Sequence, residues 1–472
     1  MTTTTTAPAR TDRAADLVDA LGRLHPDIEV RPAGRATSAY RYDAGTTPRN
    51  GAPVEGDGPA VAFPSDAAAV QAVVRLAGEH GVSIVPRGAG SGLSGGATAT
   101  RDQLVVSTER LDRIVEVAPL DEVAVVEPGV VNAALNAHLE PYGLFYAPDP
   151  ASFEISTIGG NIATNAGGLR CAGYGVTRES VLGLDVVLAD GSLVSVGHRS
   201  VKGVNGLDLT SLFVGSEGVL GIVVRAIVRL RPIPVARRTV SAFFPSTSAG
   251  LDGLDAITRS PVRPTVVEFF DEPSLTAIDA FSGTALRDRG ASLVLVELDG
   301  YGIDEQTADL TTALTSSGAV VTAETAEDGH ALWELRRHGR GHTEPQWFVG
   351  EDIAVPKSRL RDVYSRFAEL EERFDVRVSA VSHAGDGNLH PAITRAIGDA
   401  DPADRPAALD EAATELVRIA LAAGGTVTGE HGIGTVKREW AALELSPRHL
   451  AAQRALKDAL DPAGLLNPGK AI

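Results

Sequence analysis

The segment RGAGSGLSGG, residues 87–96, spaces Gly90, Gly92 and Gly95 as G-x-G-x-x-G. In a dinucleotide-binding fold that spacing works only where the glycines leave a strand and open a helix, whose free N–H groups meet the pyrophosphate. The first condition holds. Ser83–Pro86 reads as a short buried strand after a helix that starts near Ser65 and sets Val70, Val73, Val74 and Ala77 on one face. The second fails, because Ala97 to Gln103 has no apolar stripe at helical spacing and runs into the strand-like Leu104–Ser107. A nicotinamide reading is therefore rejected. What remains is a run of small residues beside Arg87, able to turn backbone N–H groups toward an anion, or else a plain surface loop.

Composition narrows the class. A chain of 472 residues with 43% apolar content can bury a large core, and at about 150 residues per domain it predicts about two to four domains. Its net charge of −18 argues against nucleic acid and anionic membranes as partners, so an anionic substrate needs a local basic pocket. The single cysteine, Cys171, excludes an internal disulfide framework and fits a reducing compartment. Residues 1–10 lack the charged and apolar regions of a signal peptide and read as a disordered lead. No apolar run reaches the ~18 residues that span a bilayer, so a cytoplasmic protein is expected.

From about Pro53 to Pro234 glycine and β-branched residues alternate with turn signals, and two further glycine-dense segments follow the first: residues 148–175 and 215–223. Three such segments in one α+β unit suggest loops converging on one large ligand. After the Pro232-Ile233-Pro234 break the pattern changes. Strands at Thr239–Phe244, Thr265–Phe270, Ala291–Leu298 and Gly318–Thr322, with helices at Ser246–Arg259 and Asp304–Leu314, predict the ferredoxin-like order β-α-β-β-α-β. A longer amphipathic helix follows, with Leu360, Val363, Phe367, Leu370 and Phe374 on one face, then the alternating strand Val376–Ser382.

That strand delivers the chain into SHAGDGNLH, in which His383 and His390 flank a glycine turn. Two imidazoles so placed can share a zinc, iron or manganese ion, or each can bond backbone in a loop. TGEHGIG, residues 428–434, adds Glu430 as a third, oxygen ligand and His431 as a general base. Two histidines and one glutamate would leave coordination positions open, the catalytic pattern. In ALWELRRHGRGH, Arg336, Arg337 and Arg340 supply positive charge; one of them holds a substrate carboxylate in a forked pair, or all complement a helix C-terminus. Arg336, three residues after Trp333, is the first choice.

Together PRGAGSGLSGG, STIGGNIATNAGG, EGVLGIV, EDIAVP, SHAGDGNLHP, TGEHGIG and LDPAGLLNPGK resemble the FAD-linked D-2-hydroxyacid dehydrogenases, flavoproteins of the vanillyl-alcohol oxidase or p-cresol methylhydroxylase (PCMH) type, in the D-lactate dehydrogenase and glycolate oxidase branch. The likeness runs in order from about residue 50 to the end. It implies an α+β fold: a PCMH-type FAD-binding domain of two α/β subdomains over residues 51–234, after a lead and extension at 1–50. A ferredoxin-like cap at 235–425 would bind substrate, and a C-terminal helical segment, 426–472, would return to the FAD domain.

The resemblance also implies a site. FAD would contact Pro86, Arg87, Gly88, Ala89, Gly90, Ser91 and Gly92 on the pyrophosphate side. Asp149, Pro150, Ser156, Thr157, Gly159, Gly160, Asn161, Thr164, Asn165, Ala166 and Gly167 would surround the ribityl chain and ring. Glu217, Gly218, Gly221, Ile222, Val223 and Asn467 would complete the lining. No histidine lies between His80 and His138, so FAD is expected to be non-covalent. Cys171 is an alternative attachment point or a small packed residue. The implied metal ligands are His383, His390 and Glu430, for zinc or manganese, with His431 as base; Arg336 stays the candidate for the substrate carboxylate from its own spacing. The implied reaction is oxidation of a small D-2-hydroxyacid to the 2-oxo acid, with electrons passed to a quinone, a cytochrome or an electron-transfer flavoprotein; a homodimer is compatible with it.

Relatives acting on 2-hydroxyglutarate place lysine and asparagine where this chain has Gly350 and Ala392, which favours lactate- or glycolate-like substrates over that dicarboxylate. Two further alternatives are an alkyl-glycerone-phosphate synthase-like FAD transferase, which would lack the histidine pair, and a flavin subunit of a multi-subunit glycolate oxidase. The lone cysteine means that any iron–sulfur cluster would sit on another chain.

Overall fold

The helix Ala67–His80 starts where Asp66 accepts the N–H of Ala69 and stops at Gly81, which takes a left-handed conformation (φ +61°). It packs on a four-stranded sheet in the order Glu29–Arg31, Ala60–Phe63, Leu104–Ser107, Ile84–Arg87, of which the last three run parallel. The computed structural model describes residues 12–47, 56–200, 202–339, 341 and 343–472; the expected lead at 1–10 and the candidate Arg340 lie outside them. Residues 13–24 form a helix whose Leu17 and Leu21 join the same core as Val70, Val73 and Ile84, so the extension is part of the domain rather than a tether.

A second sheet is antiparallel throughout, in the order Ile114–Ala118, Val123–Val126, Ile222–Arg229, Val181–Val187, Leu193–Gly197. Between its strands Val123–Val126 and Val181–Val187, residues 148–175 form loops and two short helices, Ile158–Thr164, capped by Thr157, and Cys171–Tyr174. The third sheet begins as expected. Val320–Ala323, Arg237–Phe244, Ser292–Asp299 and Val266–Phe270 lie side by side, the ferredoxin-like order, with Thr247–Arg259 and Ile303–Ser316 packed on them.

It does not end there. Val266–Phe270 pairs onward with Arg377–His383, then Asn388–Ala396, then Gln346–Gly350, so the cap is one extended antiparallel sheet. An unpredicted helix, Glu272–Ser282, separates the second and third strands; Asp271 caps it and Pro273 sits in its first turn, a start signal the reading passed over. The predicted long helix is two, Leu360–Tyr364 and Phe367–Phe374, because Ser365 and Arg366 have ψ near zero (−16° and −8°) and turn out of the helical ladder. Its apolar spacing was still informative: Leu360, Val363, Phe367 and Leu370 are all buried in one core.

The end of the chain returns to the first sheet. Ile84 donates its N–H to Leu465 and accepts that of Asn467, and Leu465 and Leu466 fill the core beneath.

Candidate active site

The three glycine-dense segments wall one cleft of about 430 Å³, within the ordinary range for a small-molecule or cofactor site. Residues 86–92, most of the expected lining between 150 and 167, and Glu217, Gly218 and Gly221 to Val223 all face it. No helix opens after Gly96, so the rejection of the nicotinamide fingerprint stands. The loop owes its shape to close approach: a Cβ on Gly88 would lie 2.4 Å from the hydroxyl of Thr157. Arg87 is turned back into the loop, its guanidinium donating to the carbonyls of Tyr42 and Ala97.

Four expected cofactor residues do not face the cleft. Asp149 accepts the N–H of Arg170, Ser156 accepts from the Asn161 amide, and Asn165 caps a helix and accepts from Arg178. Asn467 donates to the carbonyls of Gly96 and Glu217, tying two walls together from behind. Their polar atoms are spent on backbone or on neighbouring side chains. Cys171 does not line the cleft either, and burial holds its thiol well above the usual range.

Glu430 and His431 line the same cleft. Gly167 permits this, since a Cβ there would stand 2.5 Å from a Glu430 oxygen. Behind Glu430 lie the two histidines. In the hairpin, Val381 pairs with His390 and His383 with Asn388, so His383 and His390 are diagonal neighbours on one face of the sheet. Their rings are perpendicular at 5.0 Å, and Nε2 of each points at Oε1 of Glu430, at 3.7 and 3.2 Å. One ligand atom from each of the three residues falls within 4.8 Å of the others.

The next strand supplies a residue that the reading missed. Glu268 pairs with His383 in register and is fully buried, with Oε1 2.6 Å from His383 Nδ1. Burial alone would raise the Glu268 pKa, but Arg336 and His383 hold it below the usual value. Burial works against a charge on His383 too, yet Glu268 and Glu430 push its pKa up to about 10. His390 goes the other way, down to about 4, because burial outweighs Glu430. An acidic residue inside the apolar strand VVEFF was the available signal, since an unpaired carboxylate is not buried there without cause.

Arg336 was expected to offer a free fork to a substrate carboxylate. Instead it is 4% exposed, with Nε on Glu268 and Nη2 3.4 Å from His383 Nδ1, so its charge is committed to the glutamate. His431 is partly buried, lines the cleft and stacks on His390 at 5.3 Å.

Glycine loops around one cleft, together with a third, antiparallel sheet that carries His383 and His390 to Glu430 on the cleft wall, match a PCMH-type flavoprotein fold. The solved structure of p-cresol methylhydroxylase with bound substrate shares that fold, with a TM-score of 0.78 at 17% identity over 98% of each chain. The chain belongs to the FAD-linked oxidase family: residues 59–197 match the FAD binding domain and residues 233–471 the C-terminal domain of FAD linked oxidases. It is 38% identical to glycolate oxidase subunit GlcD of Bacillus subtilis, over 93% of this chain and 92% of that one. It is 31% identical to the D-lactate dehydrogenase of Archaeoglobus fulgidus, over 96% and 99%. It is an FAD-linked oxidoreductase.

Proposed function

We propose that this chain oxidises a small D-2-hydroxyacid of the lactate or glycolate class to the 2-oxo acid, using non-covalent FAD and a divalent zinc or manganese ion. The observation that carries the reading is the convergence of His383 and His390 on Glu430, which lines the flavin cleft with His431 beside it. The donor set fits the ion: two imidazole nitrogens and one carboxylate, buried, with His383 oriented by a second carboxylate. The cleft fits the flavin, being walled by glycines, of which Gly88, Gly167 and Gly218 lie so close to Thr157, Glu430 and Pro86 of facing segments that a side chain would crowd them.

When bound, the flavin supplies the acceptor for the α-hydrogen and its electron pair, and the cation supplies a Lewis acid for the substrate oxygens. The protein contributes the rest. His431 takes the proton of the α-hydroxyl on Nε2, whose side of the ring faces Glu430, while Nδ1 faces the buried carboxylate of Asp352. Glu268 keeps His383 in one tautomer, and the stacked rings of His390 and His431 fix the base relative to the ligands.

A small monocarboxylic substrate is supported by Gly350 and Ala392, which are direct cross-strand partners. Neither has a polar side chain to hold a second carboxylate, and Ala392 lies on the same strand face as His390. Electrons would leave to a quinone, a cytochrome or an electron-transfer flavoprotein. Among the described residues no helix is long and apolar enough to cross a membrane.

Anaerobic titration of the yellow protein with single D- and L-2-hydroxyacids tests the reading. Bleaching by D-lactate or glycolate, abolished by a chelator and restored by zinc or manganese, is expected. A protein that no hydroxyacid bleaches would overturn it.

A further inference from the structure

The loop carrying Glu430 and His431 has no secondary structure of its own, yet four of its groups converge on one atom. Oδ2 of Asp352 accepts the hydroxyl of Thr428 at 2.7 Å and the N–H groups of Gly429, Glu430 and His431 at 2.9, 3.1 and 3.0 Å. Oδ1 accepts the Asn388 amide at 2.7 Å, and the Asp352 carbonyl accepts Lys437 Nζ at 2.7 Å. Asp352 is fully buried. Successive N–H groups wrapped about an anion form a nest, and here the anion is a side chain. The approach is tight: a Cβ on Gly429 would lie 2.1 Å from the Asn388 amide nitrogen and 2.9 Å from Asp352.

A buried carboxylate that collects five donors is stable as an anion, and the donors are ordered by it. The strand Ile353–Ala354 anchors it from the next residue on, through its pairing with Asn388 and Leu389, so Asp352 is fixed to the same hairpin that carries His383 and His390.

We propose that Asp352 is a positioning residue: the buried anion about which residues 428–431 wind, and so the group that sets where the Glu430 carboxylate and the His431 imidazole stand. This rests on the function proposed above for Glu430 and His431. Asp352 does not line the cleft. It acts through the loop, by joining the sheet that holds two ligands to the segment that holds the third.

The test compares the full-length, flavin-loaded Asp352→Asn variant with wild type. Asparagine keeps the shape but must turn an N–H₂ group toward either the nest or the Asn388 amide. Amide exchange over residues 428–432 is expected to speed up at least about tenfold, and zinc, measured by competition with a chromogenic chelator, to bind about ten- to a hundredfold more weakly. Flavin content should be unchanged. Wild-type exchange and zinc affinity in the variant would overturn the proposal. So would joint loss of flavin and cooperative unfolding, which would make Asp352 a general fold residue. If the variant is insoluble, Thr428→Val decides: weaker zinc binding with full flavin supports the proposal, unchanged zinc binding overturns it. Amide exchange needs neither metal nor substrate, so it reports on Asp352 even if no hydroxyacid bleaches the wild-type flavin.

Discussion

Nδ1 of His383 stands 2.6 Å from Oε1 of Glu268, and this contact leaves Nε2 as the nitrogen facing Glu430. A ligating histidine whose second nitrogen donates to a carboxylate is fixed in tautomer and is more basic toward the ion. Glu268→Gln should weaken zinc binding by about ten- to a hundredfold, read by chelator competition. The same change leaves Arg336 buried without its counter-charge, so a loss of about 3 kcal/mol in unfolding free energy is expected by denaturant titration.

The proton on His383 competes with any cation. With a folded-state pKa raised to about 10, His383 is protonated at neutral pH, and its Nε2 lone pair is free only after that proton leaves. Apparent zinc affinity should therefore rise with pH, by up to about tenfold per unit below pH 10. Calorimetry in buffers of different ionisation enthalpy should show proton release on binding near pH 7. Affinity independent of pH between 6.5 and 8.5 would contradict this.

His431→Asn should separate base chemistry from binding. The backbone carbonyl of residue 431 still accepts the Ser94 hydroxyl, so loop and cleft should persist with flavin and zinc retained. The rate constant of flavin reduction by D-lactate, measured by stopped flow, should fall about 10²- to 10⁴-fold.

Glu217 clamps the other half of the loop, accepting the N–H groups of Ile433 and Gly434 at 2.8 and 2.7 Å from the flavin side. Gly434 has φ +50°, and a Cβ there would lie 1.9 Å from the backbone oxygen of Ser94, which cannot yield as a flexible side chain could. Gly434→Ala should cost at least about 1–3 kcal/mol. Flavin and zinc content should fall together, because this turn belongs to both walls.

Asp271, buried among backbone donors of Ser274 and Ala380, has its pKa raised by desolvation from 3.8 to about 6. The folded chain therefore binds this proton more tightly than the unfolded chain does. The sign follows: its contribution to stability is fully present below pH 3.8 and is lost as pH rises through about 6. Wild type should lose roughly 1–3 kcal/mol more than Asp271→Asn between pH 4 and 7 by denaturant titration.

Much of the site was legible because local rules bind where no competing contact exists. The glycine spacing of residues 87–96 was read correctly as a loop without a helix, since an apolar stripe is visible or absent in sequence. Five cap strands were found within a few residues because alternation and turn signals agree there, whereas Gln346–Gly350, Ile353–Ala354 and Asn388–Ala396 were not read as strands. The partner of Arg336 was not legible for the opposite reason: a guanidinium matches any carboxylate, and sequence does not say that Glu268, 68 residues away, reaches it.

The sequence by itself determined the class of protein, through the ordered motifs in which it resembles the FAD-linked D-2-hydroxyacid dehydrogenases. It also determined the ferredoxin-like start of the cap, because strand and helix periodicities are local. Only the tertiary structure decided what surrounds those residues. Sheet register placed Glu268 behind His383, and a buried anion at Asp352 wound the loop that bears Glu430 and His431. Hydrogen bonds across long stretches of chain have no period, and their partners are chosen only when the core closes and every buried polar group must find one.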